Sequence, residues 1–172
     1  MLKLIGAALI LFAGTMIGFQ QAARLAARPR HIRTLLHTLQ RLETEIGYGY
    51  TPLPEALERA AEHTPEPLAA MLKEAAKRLD DADGPSFRES WSRAIEGHWA
   101  NSAMRSPEKA ALIRLGSSLG ISDREDQVKH LRLAMQQLKA EEDAARDDQE
   151  RYEKLCKSLG VLVAALIVIL IV

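Results

Sequence analysis

An almost unbroken apolar run from Leu4 to Phe19, followed by Arg24, Arg28, Arg30 and Arg33, constrains this chain more than any other stretch. Extended through Gln20 to Ala23, it supplies about 20 helical residues, roughly 30 Å at 1.5 Å rise each, which matches a bilayer's hydrocarbon core. The run is therefore expected to cross a membrane. Arginines clustered beside a hydrophobic segment resist translocation, so the basic side is expected to stay in the cytosol.

The opposite end repeats the arrangement in mirror image, with Lys154 and Lys157 preceding Leu159, Gly160 and the run Val161 to Val172. From Leu155 onward about 18 residues give ~27 Å of helix, a short second span once Lys157 lifts its ammonium back to the headgroups. Both basic collars face the middle of the chain. One topology satisfies both: residues 1–26 as an N-terminal transmembrane helix with its collar, 27–153 as a cytosolic helical bundle, and 154–172 as a C-terminal transmembrane helix. Gly14 with Gly18, and Gly160 with Ala164, are small-xxx-small pairs spaced for the two spans to pack as a hairpin or for the chain to form a homo-oligomer.

A cleaved leader is the competing reading, with Met1 to Lys3 as its basic start, Leu4 to Ile17 as its apolar core, and Ala22 and Ala23 nearby. It would make the middle an extracytoplasmic helical binding protein with a C-terminal anchor. Cleavage would leave an arginine-rich mature N-terminus, which opposes export.

Without the two spans, roughly 130 residues remain, enough for one modest core. Lys plus Arg and Asp plus Glu both number 23, so no broad basic surface for nucleic acid is indicated. Cys156, the only cysteine, excludes an intrachain disulfide and a cysteine metal cluster, and beside the membrane entry it reads as a small apolar filler.

After the collar, Ile32, Leu35, Leu36, Leu39, Leu42 and Ile46 recur at three- and four-residue intervals, an apolar stripe on one helix face. Pro29 is expected at the junction where the chain leaves the membrane helix. Gly47 to Tyr50 interrupt the stripe, and Pro52 and Pro54 start a short helix through Leu57 and Ala61. Thr64 to Pro67 stop and restart the chain before the stripe Leu68, Met71, Leu72, Ala75 and Leu79. Ser86 with Glu89 reads as a capping box opening a helix that buries Phe87, Trp91, Ala94 and Ile95. Ser106 as N-cap with Pro107 opens the next, ended by Gly120 as a left-handed cap, and Ser122 with Glu125 reads as a second capping box.

No proline or glycine then appears until Gly160. Val128, Leu131, Met135 and Leu138 form a heptad-like seam whose continuation meets Glu142, Ala145, Gln149 and Tyr152. The charged segment Ala140 to Arg151 is accordingly expected to stand in solvent as a stalk. Nothing alternates with a strand's period, so the fold class is all-α, an antiparallel helix bundle between two membrane helices. Leu53, Glu55, Leu57, Arg59 and Ala60 recur as Phe87, Glu89, Trp91, Arg93 and Ala94, 34 positions on, but the third copy a repeat array requires fails at Glu125. Two similar helix starts within one bundle explain the echo.

Catalytic signatures are missing: the sequence has no phosphate-binding glycine loop, no paired-histidine metal helix and no serine elbow. His31, His37, His63, His98 and His130 are scattered, and Asp80, Asp81 and Asp83 lack the spacing, glycine and terminal glutamate of a calcium loop. No catalytic residue, metal site or cofactor is expected.

The whole chain resembles the stage III sporulation protein AB family of endospore-forming bacteria. The resemblance runs through the N-terminal span, Arg28-Pro29-Arg30, Leu42 to Ile46, Thr51 to Leu57, and the Leu159-Gly160 hydrophobic tail. Its middle is more loosely similar to the cytoplasmic helical domain of the inner-membrane platform protein of type II secretion and type IV pilus machines, from which it departs in having one domain and an anchor at each extreme end. The resemblance implies a nonenzymatic platform component of a secretion-like channel complex between mother cell and forespore. It further implies a multi-pass location in the mother-cell membrane facing the forespore, a cytoplasmic middle domain, and other channel proteins including a secretion-type ATPase as partners.

Overall fold

The computed structural model describes the backbone of residues 2–79, 86–119 and 122–171. Side chains are described for 26–79, 86–119 and 122–152, together with Phe12, Met16, Gln20, Ala23 and Leu155. Among these residues the chain is wholly helical: α1 (Leu2–Gly47), α2 (Leu53–Glu62), α3 (Leu68–Leu79), α4 (Phe87–His98) with a 3-10 turn (Trp99–Asn101), α5 (Ser106–Gly116) and α6 (Arg124–Ile171). Each helix packs on the next in sequence, and α6 closes the ring by returning along α1.

The stripe read from α1 is its core face, with Ile32, Leu35, Leu36, Leu39, Leu42 and Ile46 all buried. They meet Leu57 of α2, Ile95 of α4, and Leu131 and Leu138 of α6 in one apolar cluster. The antiparallel α1–α6 register is fixed by cross-pairs: Arg33 meets Glu142 at 2.7 Å and Glu43 meets Arg132 at 2.6 Å, so ten residues forward on α1 match ten back on α6. A Cβ on Gly47 would touch Val128 in the same register.

Two expectations about these long helices are corrected. Pro29 marks no break between helices. It lies inside α1, which continues on both sides of it, because losing one donor and one i−4 contact is a local cost that the long flank against α6 outweighs. The segment Ala140 to Arg151 is not a stalk surrounded by solvent, since Glu142 and Ala145 are each 2% exposed against α1. The seam continues through them, a carboxylate being accepted at a buried position because cations from α1 and its own helix reach it.

Helix starts depart from the sequence reading by single residues. Ser86 caps α4 by accepting from the Glu89 N–H at 3.4 Å, but the Glu89 carboxylate turns to Arg93 at 2.6 Å instead of reaching back. For α5 the capping residue is Arg105, whose N–H donates to Glu108 at 2.8 Å, leaving Ser106 and Pro107 inside the first turn. Asp123 rather than Ser122 caps α6, accepting from the Asp126 N–H at 2.9 Å. Gly120 and the aspartates at 80, 81 and 83 lie outside the described residues.

The 34-residue echo is structural. Leu53 and Phe87 each open a helix, and Glu55–Arg59 (2.7 Å) and Glu89–Arg93 (2.6 Å) pair identically on the outer faces of α2 and α4. Leu57 with Ala60, and Trp91 with Ala94, are buried at corresponding places.

Trp91 packs directly against the backbone of α5. Gly116, the last residue of α5, lies so close to the indole that a Cβ there would run into the ring. Alanine has the better helix propensity by about 1 kcal/mol, yet Gly116→Ala is expected to destabilise the bundle by about 1–3 kcal/mol through overpacking. Urea denaturation followed by circular dichroism checks the sign, and a stabilised variant would mean that α5 shifts freely.

Candidate functional site

Charge is concentrated where α1, α5 and α6 meet, at the end of the bundle nearest the chain termini. Arg28 on α1 is buried and donates from Nε and Nη2 to Glu108 Oε1 at 2.9 and 2.7 Å. Its Nη2 also reaches Glu141 at 3.0 Å, and its Nη1 lies 3.8 Å from Asp148. Glu108 is fully buried, and its second oxygen accepts the Arg105 N–H at the start of α5. One turn further along, Glu142 receives Arg33 on one oxygen and Lys139 on the other, both at 2.8 Å.

Burial pushes the Glu142 carboxyl upward, but the hydrogen bonds from Lys139 and Arg33 and their charges outweigh it, leaving Glu142 below its ordinary value. Lys139 is raised, chiefly by its hydrogen bonds to Glu142 and Asp143. Both groups therefore stay charged. With every oxygen of Glu108 and Glu142 occupied by a donor, this cluster ties α1, α5 and α6 together.

His31 stands beside it, its Nδ1 accepting the Ala103 N–H at 3.0 Å from the loop before α5. Burial first, and the Arg30 charge second, lower its pKa from 6.5. The folded state thus holds His31 neutral while the unfolded chain takes up a proton first as pH falls. Its contribution is present above the unfolded value and is lost on acidification through the lowered one. His31→Asn, which keeps an acceptor without the titration, is expected to lose less stability than the natural chain between pH 7 and 5. Parallel thermal melts across that range check this, and identical slopes would remove His31 from the linkage.

The collar of the sequence reading divides. Arg28 and Arg33 are spent on protein carboxylates, Arg30 is exposed, and Arg24, Lys154 and Lys157 lie outside the described side chains, as do Gly14, Gly18, Gly160 and Ala164. Among the described residues no helix is long and apolar enough to cross a membrane, and the terminal runs fall largely outside them. Glu108 and Glu142 were not singled out as site residues by the sequence reading. A carboxylate at a seam position of α6 was the available signal for Glu142, and nothing local to α5 distinguished Glu108 from an ordinary first-turn acid.

The opposite end presents aromatic side chains. Tyr48 and Tyr50 are 79% and 73% exposed on the α1–α2 loop, Tyr50 in the left-handed region at φ 53°. The Arg124 guanidinium lies 3.8 Å from the Tyr50 ring centroid, over a groove of about 700 Å³ between this loop and the start of α6. Among the described residues no group of three or more His, Cys, Asp or Glu side chains is placed to hold a metal ion.

The family model described as stage III sporulation protein AB matches residues 3–172. Stage III sporulation protein AB of Bacillus subtilis (strain 168) is 37% identical over 171 residues, covering 99% of both chains. A solved structure of stage III sporulation protein AB (SpoIIIAB) superposes with a TM-score of 0.67 at 34% identity, over 73% of this chain and 98% of that one. With full-length sequence coverage and the same helical fold, this chain belongs to the stage III sporulation protein AB family.

Proposed function

We propose that this chain is a nonenzymatic, membrane-anchored platform component of a secretion-like channel complex between mother cell and forespore. In this role its bundle lies in the mother-cell cytoplasm and couples a cytosolic secretion-type ATPase to the assembly in the membrane. The observation that carries the reading is the pair of long helices. α1 and α6 each run without a break from an apolar chain end into the bundle, where the Arg28 and Arg33 networks tie them to each other and to α5. A force applied to the bundle passes to both ends through continuous helix with little internal compliance.

The antiparallel register supports anchoring at both ends. Continued along the helices, it sets residues 4–19 of α1 level with residues 156–171 of α6, so that two apolar runs of similar length would enter the bilayer side by side. In that register Gly14 falls level with Val161, one residue from Gly160, and a close helix crossing there would need small residues.

Topology reporters fused within the α4–α5 loop and at the C-terminus test the placement. The loop fusion is expected to report cytosol and the C-terminal fusion the far side of the membrane. Copurification of the full chain with the ATPase of the same sporulating cells tests the coupling. A bundle reported outside the cytosol would favour the leader-cleaved, extracytoplasmic binder and remove the ATPase from the scheme.

A further inference from the structure

A groove of about 670 Å³ runs along the α1–α6 pair and is lined by residues of those two helices alone. Its floor is apolar, with Leu36 buried and Met135 half-buried against the core. Its rim is cationic: Arg33 from α1 and Arg132, Lys139 and Arg146 from α6, with buried Glu142 the sole carboxylate among the lining residues. Helical spacing extends the same rows to Arg30 and Lys129, both exposed. Arg33 and Lys139 hold the buried Glu142, while Glu43 and Asp143 pair with Arg132 and Lys139 from the edges, where the two cations are 61% and 54% exposed. The edge pairs, with cations so open to water, hold little net energy and leave Arg132 and the outer side of Lys139 available to a new partner. Arg146 has no partner among the described residues.

We propose that this groove is a docking site for an acidic amphipathic helix of a partner protein. From Arg132 to Arg146 the rim extends ~21 Å along α6, which is about four turns of a helix laid alongside. An apolar floor between cationic edges is the complement of a helix with Leu-type side chains at three- and four-residue spacing and carboxylates on either flank. The occupant would complete a three-helix packing on the side of the pair where α1 and α6 have no other neighbour lining the groove.

Charge and shape disfavour the other occupants. The cations are stacked along the helix axes, so a flat anionic bilayer meeting the chain ends would reach those at one end only. Single-stranded nucleic acid would call for aromatic stacking surfaces as well as cations, and the groove lining includes no Phe, Tyr or Trp. The proposal is independent of how the chain ends are anchored, since it concerns only the described part of α1 and α6.

The test uses the purified full chain and a fluorescein-labelled 18-residue helical peptide carrying leucines at three- and four-residue spacing flanked by glutamates. Fluorescence anisotropy is expected to show this peptide binding at least tenfold more tightly than a scrambled peptide of the same composition. Arg132→Glu with Arg146→Glu is expected to weaken binding at least tenfold. Arg146→Glu alone, at an exposed position, is expected to weaken it severalfold without altering the circular dichroism spectrum. Equal binding of the two peptides, no binding, or binding indifferent to Arg146 would overturn the proposal. So would a groove that serves another occupant: self-association by sedimentation velocity that disappears in the variants, or phosphatidylglycerol vesicle binding lost in the variants when the peptide does not bind.

Discussion

Replacing Arg28 with alanine is expected to lower the unfolding free energy of the bundle by about 3–5 kcal/mol, the cost of leaving a buried charge without its partner. The substitution removes the cation that three carboxylates share, leaving Asp148 with Arg105 at 3.5 Å, and Glu108 has no exposed surface through which water could replace the guanidinium. Glu108→Gln is expected to cost less, about 1–3 kcal/mol, since Arg28 keeps Glu141 and Asp148 and the amide oxygen still accepts the Arg105 N–H. Arg28→Met with Glu108→Leu together is expected to recover most of the loss, as apolar replacements of buried pairs commonly do. Denaturant titrations of the four proteins give the coupling energy directly. A loss below about 1 kcal/mol for Arg28→Ala would mean that water enters the network and that the brace between α1, α5 and α6 is weak.

That network also shows where sequence reasoning stopped. The periodic apolar stripes gave the helices and their inward faces, because a 3.6-residue repeat is written locally: Ile32 through Ile46, Leu68 through Leu79, and Phe87 through Ile95 all turned inward as read. Leu79 alone is only half-buried. Helix starts were legible to within one residue, since neighbouring cap-competent residues compete. Asp123 displaced Ser122, and Glu89 preferred an arginine four residues on to the backbone behind it. The charged side chains were not legible in the same way. Arg28 and Arg33 look like two more members of a basic cluster beside an apolar run, and only the return of α6 and the arrival of α5 give them carboxylates. The segment from Ala140 to Arg151 was misread for the same reason, its polarity being offset by a partner more than a hundred residues away in sequence. Ion pairs across sequence distance leave no periodic trace, whereas the apolar contacts they accompany do.

Truncating Trp91 to alanine is expected to cost about 3–5 kcal/mol, the range for deleting a large aromatic side chain from a core that closes poorly around the gap. Trp91 is buried, stacks on Phe87 with ring centroids 5.7 Å apart, and donates its indole N–H to the Leu112 carbonyl at 2.7 Å, joining α4 to α5. Trp91→Phe separates these contributions: it keeps most of the apolar volume and loses the hydrogen bond, for an expected cost of about 1–2 kcal/mol. Because Trp99 is the second tryptophan, unfolding is better followed by circular dichroism than by fluorescence. The contact with Gly116 makes the effect conditional on sequence elsewhere. Gly116→Ala should be destabilising in the natural background and neutral or favourable once Trp91 is alanine, since the clash has gone and the helix propensity of alanine remains. A double-mutant cycle that closes additively would show that indole and glycine do not constrain one another.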